Sequence, residues 1–179
     1  MSNIKPLKNE RLTLRALDPA DLNVIHKWEN DSSAWKVGCT TTPLSRYQIW
    51  EYLQNYDADL FKSRQLRLII ELNLTQEAVG IADFYDFDPM HRRAFIGLYI
   101  DENFRKKGIA SDTVKLLHDY AFNFIGLHQL CVHIPTENTA CRALFEKMGY
   151  RETGILRDWL KDGNSYTDVA VLQYIHDKK

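Results

Sequence analysis

Between Ala94 and Phe124 the hydrophobic pattern changes period, and few folds accommodate such a change. AFIGLYI, Ala94 to Ile100, is apolar throughout, which predicts a central strand covered on both faces. Beyond the polar ENFRKKG, apolar residues return at Ala110, Val114, Leu117, Ala121 and Phe124, one face of a helix, with Gly126 just past it as a stop. A second unit follows: LCVHI reads as a strand and TENTACRALFEKMG as a helix with apolar face Ala140, Leu144, Phe145 and Met148, closed by Gly149. Two strand-to-helix units in tandem predict an α/β chain.

The flanking segments read in the same way. RLTLRA alternates as a half-buried strand does. Asp18, Pro19 and Asp21 supply a cap, a proline at the first helical position and an acid in the first turn, so a helix is expected to about Asn30. The stretch from Trp28 to Ser45, broken by Gly38 and Pro43, reads as a loop, after which Ser45 caps a second helix through Tyr47, Tyr52 and Leu60. LRLIIEL and AVGIADFYDF form a hairpin, DPMHRR turns into the central strand, and Asp162-Gly163 marks a last hairpin between ETGILRDWL and YTDVAVLQYI. With 179 residues and no linker, repeat or low-complexity stretch, one domain spanning 1–179 is expected.

Several classes of function are disfavoured. No apolar run exceeds seven residues, against the roughly 20 needed to span a bilayer, and MSNIKPLKNE has the character of neither a secretory signal nor a transit peptide. A soluble cytoplasmic protein is expected, without membrane partners. Cys39, Cys131 and Cys141 are odd in number and widely spaced, which suits buried reduced thiols better than disulfides or a metal site. A net charge of −1 and a pI near 6.6 argue against nucleic-acid binding.

The chemistry concentrates at Arg105, Lys106, Lys107, Gly108, Ile109, Ala110 and Ser111, between the buried strand and its helix. A helix N-terminus exposes unpaired N–H groups and the positive end of its dipole, and small residues such as Gly108 and Ala110 let phosphate oxygens come close. Three cations favour an anion with several phosphates over a single carboxylate. Taken alone, such a cluster is more often a solvated basic turn; its place after a buried strand favours the phosphate reading. It matches neither GxGxxG nor GxxxxGK[ST], which leaves a coenzyme with a pyrophosphate.

At these residues the chain resembles the GNAT acetyltransferase superfamily, whose coenzyme motif is Gln/Arg-x-x-Gly-x-Gly/Ala: Arg105, Gly108 and Ala110 fill it. Asn138, Cys141, Phe145, Lys147 and Gly149-Tyr150 look like the second family motif, about 30 residues on. The likeness runs from Arg11 to Ile175, and DPMHRRAFIGLYI and LHQL suggest the branch of ribosomal-protein N-terminal and spermidine acetyltransferases. The resemblance implies a mixed sheet with helices on both faces, splayed between the strands at Ala94 to Ile100 and Leu130 to Ile134. It implies acetyl-CoA as cosubstrate, no metal, the thioester in the gap, and backbone N–H groups of Leu98, Tyr99 and Ile100 polarising its carbonyl. Asn138, Phe145 and Lys147 would flank the pantetheine arm. The acceptor would be a small amine or a peptide N-terminus, and a homo-oligomer is compatible.

Two positions depart from the family pattern. Phe145 stands where many relatives carry the tyrosine that protonates the thiolate, and Phe95 replaces a glutamate early in the central strand. Asp83 and Tyr85 are the candidates for proton transfer, although Tyr85 reads equally as a packed aromatic. Glu29 and Asp31 are candidates for holding the acceptor, although loop acids are usually only solvated. Asp57, Asp59, Asp86 and Asp88 add negative charge of the kind a polyamine requires. Trp28, Trp35 and Trp50 either line an acceptor pocket or pack in the core, and His118, His128 and His133 carry no assigned role. The alternative reading is a non-catalytic sensor of CoA or of a polyamine.

Overall fold

Two hydrophobic faces of one sheet organise the chain. The computed structural model describes residues 7–31 and 42–177; Trp35, Gly38 and Cys39 lie outside the described residues. Strands β1 (Leu12–Arg15), β2 (Leu66–Leu72), β3 (Ala78–Asp88), β4 (Arg93–Ile100), β5 (Gln129–Pro135), β6 (Arg151–Asp162) and β7 (Ser165–Ile175) form a seven-stranded mixed sheet in the order β1-β2-β3-β4-β5-β7-β6. All neighbours are antiparallel except β4 and β5. That single parallel contact follows from the strand–helix–strand crossover, which returns the chain in the same direction.

Alternation sorts the side chains. Leu66, Leu68, Ile70, Ala82, Phe84, Ala94 and Ile96 lie in the larger core with Ile109, Val114 and Leu117 of helix α4 (Ile109–His118). Ile69 and Ile81 form a second cluster with Ile25 and Trp28 of α1 (Leu22–Glu29) and Ile49 of α2 (Arg46–Asn55). Apart from Ala82 and Ala94, the thirteen larger buried side chains on these surfaces each contribute about 1.5–3 kcal/mol relative to exposure. The sheet is thus covered on both faces by helices, as expected.

The caps explain the helix boundaries. Asp18 accepts from the Ala20 N–H ahead of a 3-10 turn at Pro19–Asp21 that runs into α1, and Ser45 and Gln48 form a capping box at α2. The single helix expected from Ser45 to Leu60 is instead two. It stops at Tyr56, whose ψ of 120° is extended, and restarts as α3 (Leu60–Ser63) because the Asp59 carboxylate caps the Phe61 and Lys62 N–H groups. Three further expectations are corrected. Only Ala94 and Ile96 of β4 are fully buried; Leu98 and Ile100 on the same face, and Phe95, Gly97 and Tyr99 on the other, are half-exposed. After α4 the chain continues as a π-helical segment, Asp119–Ile125, whose wider turn buries Ala121 and Phe122 and leaves Phe124 exposed. In α5 (Thr139–Lys147) Ala140 is exposed, and Cys141, Leu144, Phe145 and Met148 face the core.

Candidate active site

β4 and β5 diverge almost as soon as they meet. Arg93, Ala94 and Phe95 pair with Gln129, Leu130 and Cys131, and no register continues between the strands beyond them. The stretch 96–100, with Leu98, Tyr99 and Ile100, therefore borders a gap opposite 132–135. Phe95 closes the paired end of the gap, its ring 4.5 Å from His133 and stacked on Tyr85 at 5.5 Å.

At the far end of β4 the chain turns into α4 through residues 105–111. Gly108 is the N-cap, in the left-handed region at φ 79°, and a Cβ placed there would meet only Arg11 Nη1, at 3.5 Å. With no side chain capping α4, its first N–H groups face outward beside the exposed Arg105, Lys106 and Lys107, while Ile109 is buried and anchors the turn. Arg11 secures it from β1's side: Nη2 donates to the Lys107 carbonyl at 2.7 Å and Nη1 pairs with Asp112 at 3.2 Å. Arg105 folds back, Nε donating to the Ile100 carbonyl at 2.9 Å and its guanidinium lying 5.9 Å from the centre of the Tyr99 ring. An open glycine turn, an uncapped helix start and neighbouring cations fit a pyrophosphate.

Asn138 caps α5, its Oδ1 accepting from the Cys141 N–H at 3.1 Å, and Lys147 is exposed at the other end of that helix. Phe145 is 1% exposed and packs edge-on against Tyr150 at 5.0 Å. Tyr150 in turn hydrogen-bonds His118 at 3.0 Å, and burial, then His176, lowers the His118 pKa to about 4, so its ring is neutral at pH 7. Cys131 and Cys141 are free, half-buried thiols, and burial pushes Cys141 up to about 11.

Across the sheet from the phosphate turn lies a polar cluster. Arg67, Asp83 and Gly97 stand directly opposite one another on β2, β3 and β4. Arg67 Nε and Nη2 donate to the two Asp83 oxygens at 2.8 and 3.2 Å, and Nη1 to Glu29 of α1 at 2.7 Å. Burial opposes the Arg67 charge, but Asp83 and Glu29 more than compensate, leaving it firmly protonated. The cluster borders a cavity of about 300 Å³ whose walls include Tyr52, Gln65 and Tyr85. Gly97 leaves space beside two of its walls: a Cβ there would sit 3.7 Å from Asp83 Oδ2 and 3.8 Å from the Tyr85 ring.

α1 is fastened to the end of β4. The buried Asp101 accepts at Oδ2 from Lys27 Nζ (2.6 Å) and Trp28 Nε1 (2.9 Å), and at Oδ1 from the Asn103 N–H and Nδ2 (3.1 and 3.0 Å). Burial would raise its pKa, but the bonds from Lys27, Trp28 and Asn103 outweigh it and hold the carboxyl at about 2. The Tyr99 hydroxyl donates to Asp31 at 3.1 Å, and burial together with that bond pushes it up to about 12. Trp28 is therefore a core residue with a polar anchor, whereas Trp50 is exposed and stacks on Tyr47, so the two do not line one pocket. Among the described residues, no three His, Cys, Asp or Glu side chains gather as a metal site, and no helix is long and apolar enough to cross a membrane.

The family model described as "Acetyltransferase (GNAT) domain" matches residues 11–151. The chain belongs to the GNAT acetyltransferase family. This acetyl-CoA-dependent N-acetyltransferase is 25% identical over 171 residues to a spermidine N(1)-acetyltransferase of Vibrio cholerae, covering 95% of this chain and 96% of that one. It is 28% identical over 177 residues to a putative ribosomal N-acetyltransferase of Bacillus subtilis, covering 90% of each. Its fold superposes with a TM-score of 0.84 on a Vibrio cholerae spermidine N-acetyltransferase crystallised with CoA and spermine, at 24% identity over 93% of this chain and 96% of that one. Three residues of these clusters do not stand out as candidates in the sequence. Arg67 in an otherwise apolar strand, Gly97 inside another and Asp101 at its end each had a signal, a charge or a missing side chain where the pattern called for bulk.

Proposed function

We propose that this N-acetyltransferase passes the acetyl group of acetyl-CoA directly to a primary amine held against Gly97, Asp83 and Tyr85. The observation that carries the reading is the gap between β4 and β5, with the uncapped α4 turn at one end and the space beside Gly97 at the other. Residues 105–111 would hold the pyrophosphate, Asn138 and Lys147 the pantetheine side, with the buried Phe145 supporting their helix from the core, and the β4 backbone near Leu98, Tyr99 and Ile100 the acetyl carbonyl. N–H donors placed where negative charge develops stabilise it more than water does.

The acceptor must reach the carbonyl as a free base, although a lysine-like amine has a pKa of about 10.4. Asp83 Oδ2 is the nearest carboxylate oxygen to Gly97 and keeps capacity for a hydrogen bond beyond the one from Arg67, so it is assigned to receive the ammonium proton. Tyr85 lines the same space, and Glu29 and Asp31 orient the acceptor side through Arg67 and Tyr99. With Phe145 buried, the leaving thiolate takes its proton from water. The relatives' names, a spermidine N(1)-acetyltransferase and a putative ribosomal N-acetyltransferase, are the reason for testing both polyamines and peptides as acceptors. A dodecameric Vibrio cholerae relative, 27% identical with a TM-score of 0.77, and the exposed Ile155, Trp159 and Tyr166 on β6 and β7 support self-association.

The test is CoA thiol release from acetyl-CoA with spermidine, simple monoamines, amino acids and peptides with free N-termini. Turnover above the hydrolytic background with any of them is expected. Tight acetyl-CoA binding without turnover on the whole panel would instead favour the sensor.

A further inference from the structure

We propose that Arg67 sets the charge of the acceptor, restricting the pocket to primary amines with one positive charge and an apolar body, and turning polyamines away. The inference rests on the transferase reading above for the place where the acceptor sits. A polyamine needs several uncommitted carboxylates spaced along its cations. On the acceptor side these groups are already engaged, apart from the exposed Asp86, which alone cannot match a chain of cations. Glu29 and Asp83 are joined to Arg67, Asp31 accepts from Tyr99, Asp57 pairs with Lys62 at 2.6 Å, Asp59 caps α3, and Asp88 pairs with Arg93 at 3.3 Å.

The balance at the cavity follows. One guanidinium between two carboxylates leaves a single negative charge, which one ammonium matches, and a second ammonium in the same 300 Å³ meets Arg67. Arg67 cannot move aside cheaply. Three of its donors are committed, its backbone N–H donates to the Tyr56 hydroxyl, and its guanidinium lies 6.0 Å from the Tyr52 ring centre. Among the described residues the remaining walls carry no further carboxylate; beside Gln65, Tyr52 and Tyr85 offer ring surface, which suits an apolar body better than a chain of amines.

The experiment compares phenethylamine with spermidine on the full chain. In the parent, kcat/KM for phenethylamine is expected to exceed that for spermidine at least tenfold. Arg67→Gln, which releases both carboxylates, should move that ratio toward spermidine by tenfold or more. A parent that prefers spermidine, or a folded Arg67→Gln whose ratio is unchanged, overturns the proposal. Should Arg67→Gln fail to fold, Arg67→Lys keeps the charge but cannot span both carboxylates, and a shift of at least threefold toward spermidine is expected; no shift overturns the proposal. If neither amine turns over, the transferase reading is decided separately by the wider panel, and calorimetry decides this one. Spermidine binding to the variant but not to the parent upholds it, and equal binding overturns it.

Discussion

Gly108 and Gly126 hold almost the same left-handed backbone, φ 79° and 80°, at opposite ends of the helical stretch that begins at Ile109. That coincidence separates backbone strain from ligand contact. A non-glycine residue in this region costs about 1–2 kcal/mol, and neither site adds a clash, since a Cβ meets only Arg11 Nη1 at 3.5 Å at Gly108 and nothing within 4 Å at Gly126. Gly108→Trp and Gly126→Trp should therefore both fold and lose similar stability, roughly 2–8 °C in Tm for a chain of this size. Only at Gly108 would the indole fill the space of the pyrophosphate. Losing two charge-assisted hydrogen bonds at about 1.5–3 kcal/mol each corresponds to at least a hundredfold weaker acetyl-CoA binding. The control lies 18 residues on, at the far end of the helical stretch, and should bind as the parent does. Calorimetric titration beside melting curves makes the comparison. Equal affinity in the two variants would refute the assignment of the phosphate turn.

Arg105→Ala should weaken acetyl-CoA by about 1.5–3 kcal/mol and acetylpantetheine hardly at all, because only the former carries the pyrophosphate; equal losses in titration count against the role. Phe145→Tyr places a hydroxyl in a site that is 1% exposed, so a stability loss of about 1–3 kcal/mol with no gain in turnover is expected. Raised turnover with undiminished stability would place that ring beside the coenzyme sulfur instead. Asp101, held at about 2, stabilises the fold above the unfolded carboxylate pKa near 4, and that stability is lost as pH falls from about 4 through 2. Asp101→Asn should flatten that acid limb in urea melts at pH 2 to 5; an unchanged limb would assign it to other carboxylates.

Most elements were legible because local patterns marked them. The apolar run at 94–100, the Asp18 and Ser45 caps and the Asp162-Gly163 turn all gave the observed strands, helices and hairpin. The turn at 105–111, to which the pyrophosphate is assigned, was legible as a turn into a helix for the same reason: its signals lie within seven consecutive residues. What failed depended on contacts far apart in the chain or on geometry without a sequence signature. A π turn moves Phe122 inward and Phe124 outward with no change in composition. Glu29, Arg67 and Asp83 are separated by 38 and 16 residues, so Glu29 and Asp83 stood as separate candidates and Arg67 went unread until the sheet register brought the three together. The interruption at Tyr56 likewise became visible only with Asp57 and Asp59 turned onto backbone N–H groups.

The short seam between β4 and β5 has a mechanical meaning. Three register pairs join a half-sheet of four strands to one of three, whereas β2 and β3, or β5 and β7, share six or seven. Such a seam is the natural line along which the halves rock. A molecule lying in the gap acts as a strut across it, bonded to the β4 backbone on one side and seated on α4 and α5 at its ends. Bound coenzyme would then stiffen the whole sheet, and the relative motion of its two halves would report occupancy before any chemistry takes place.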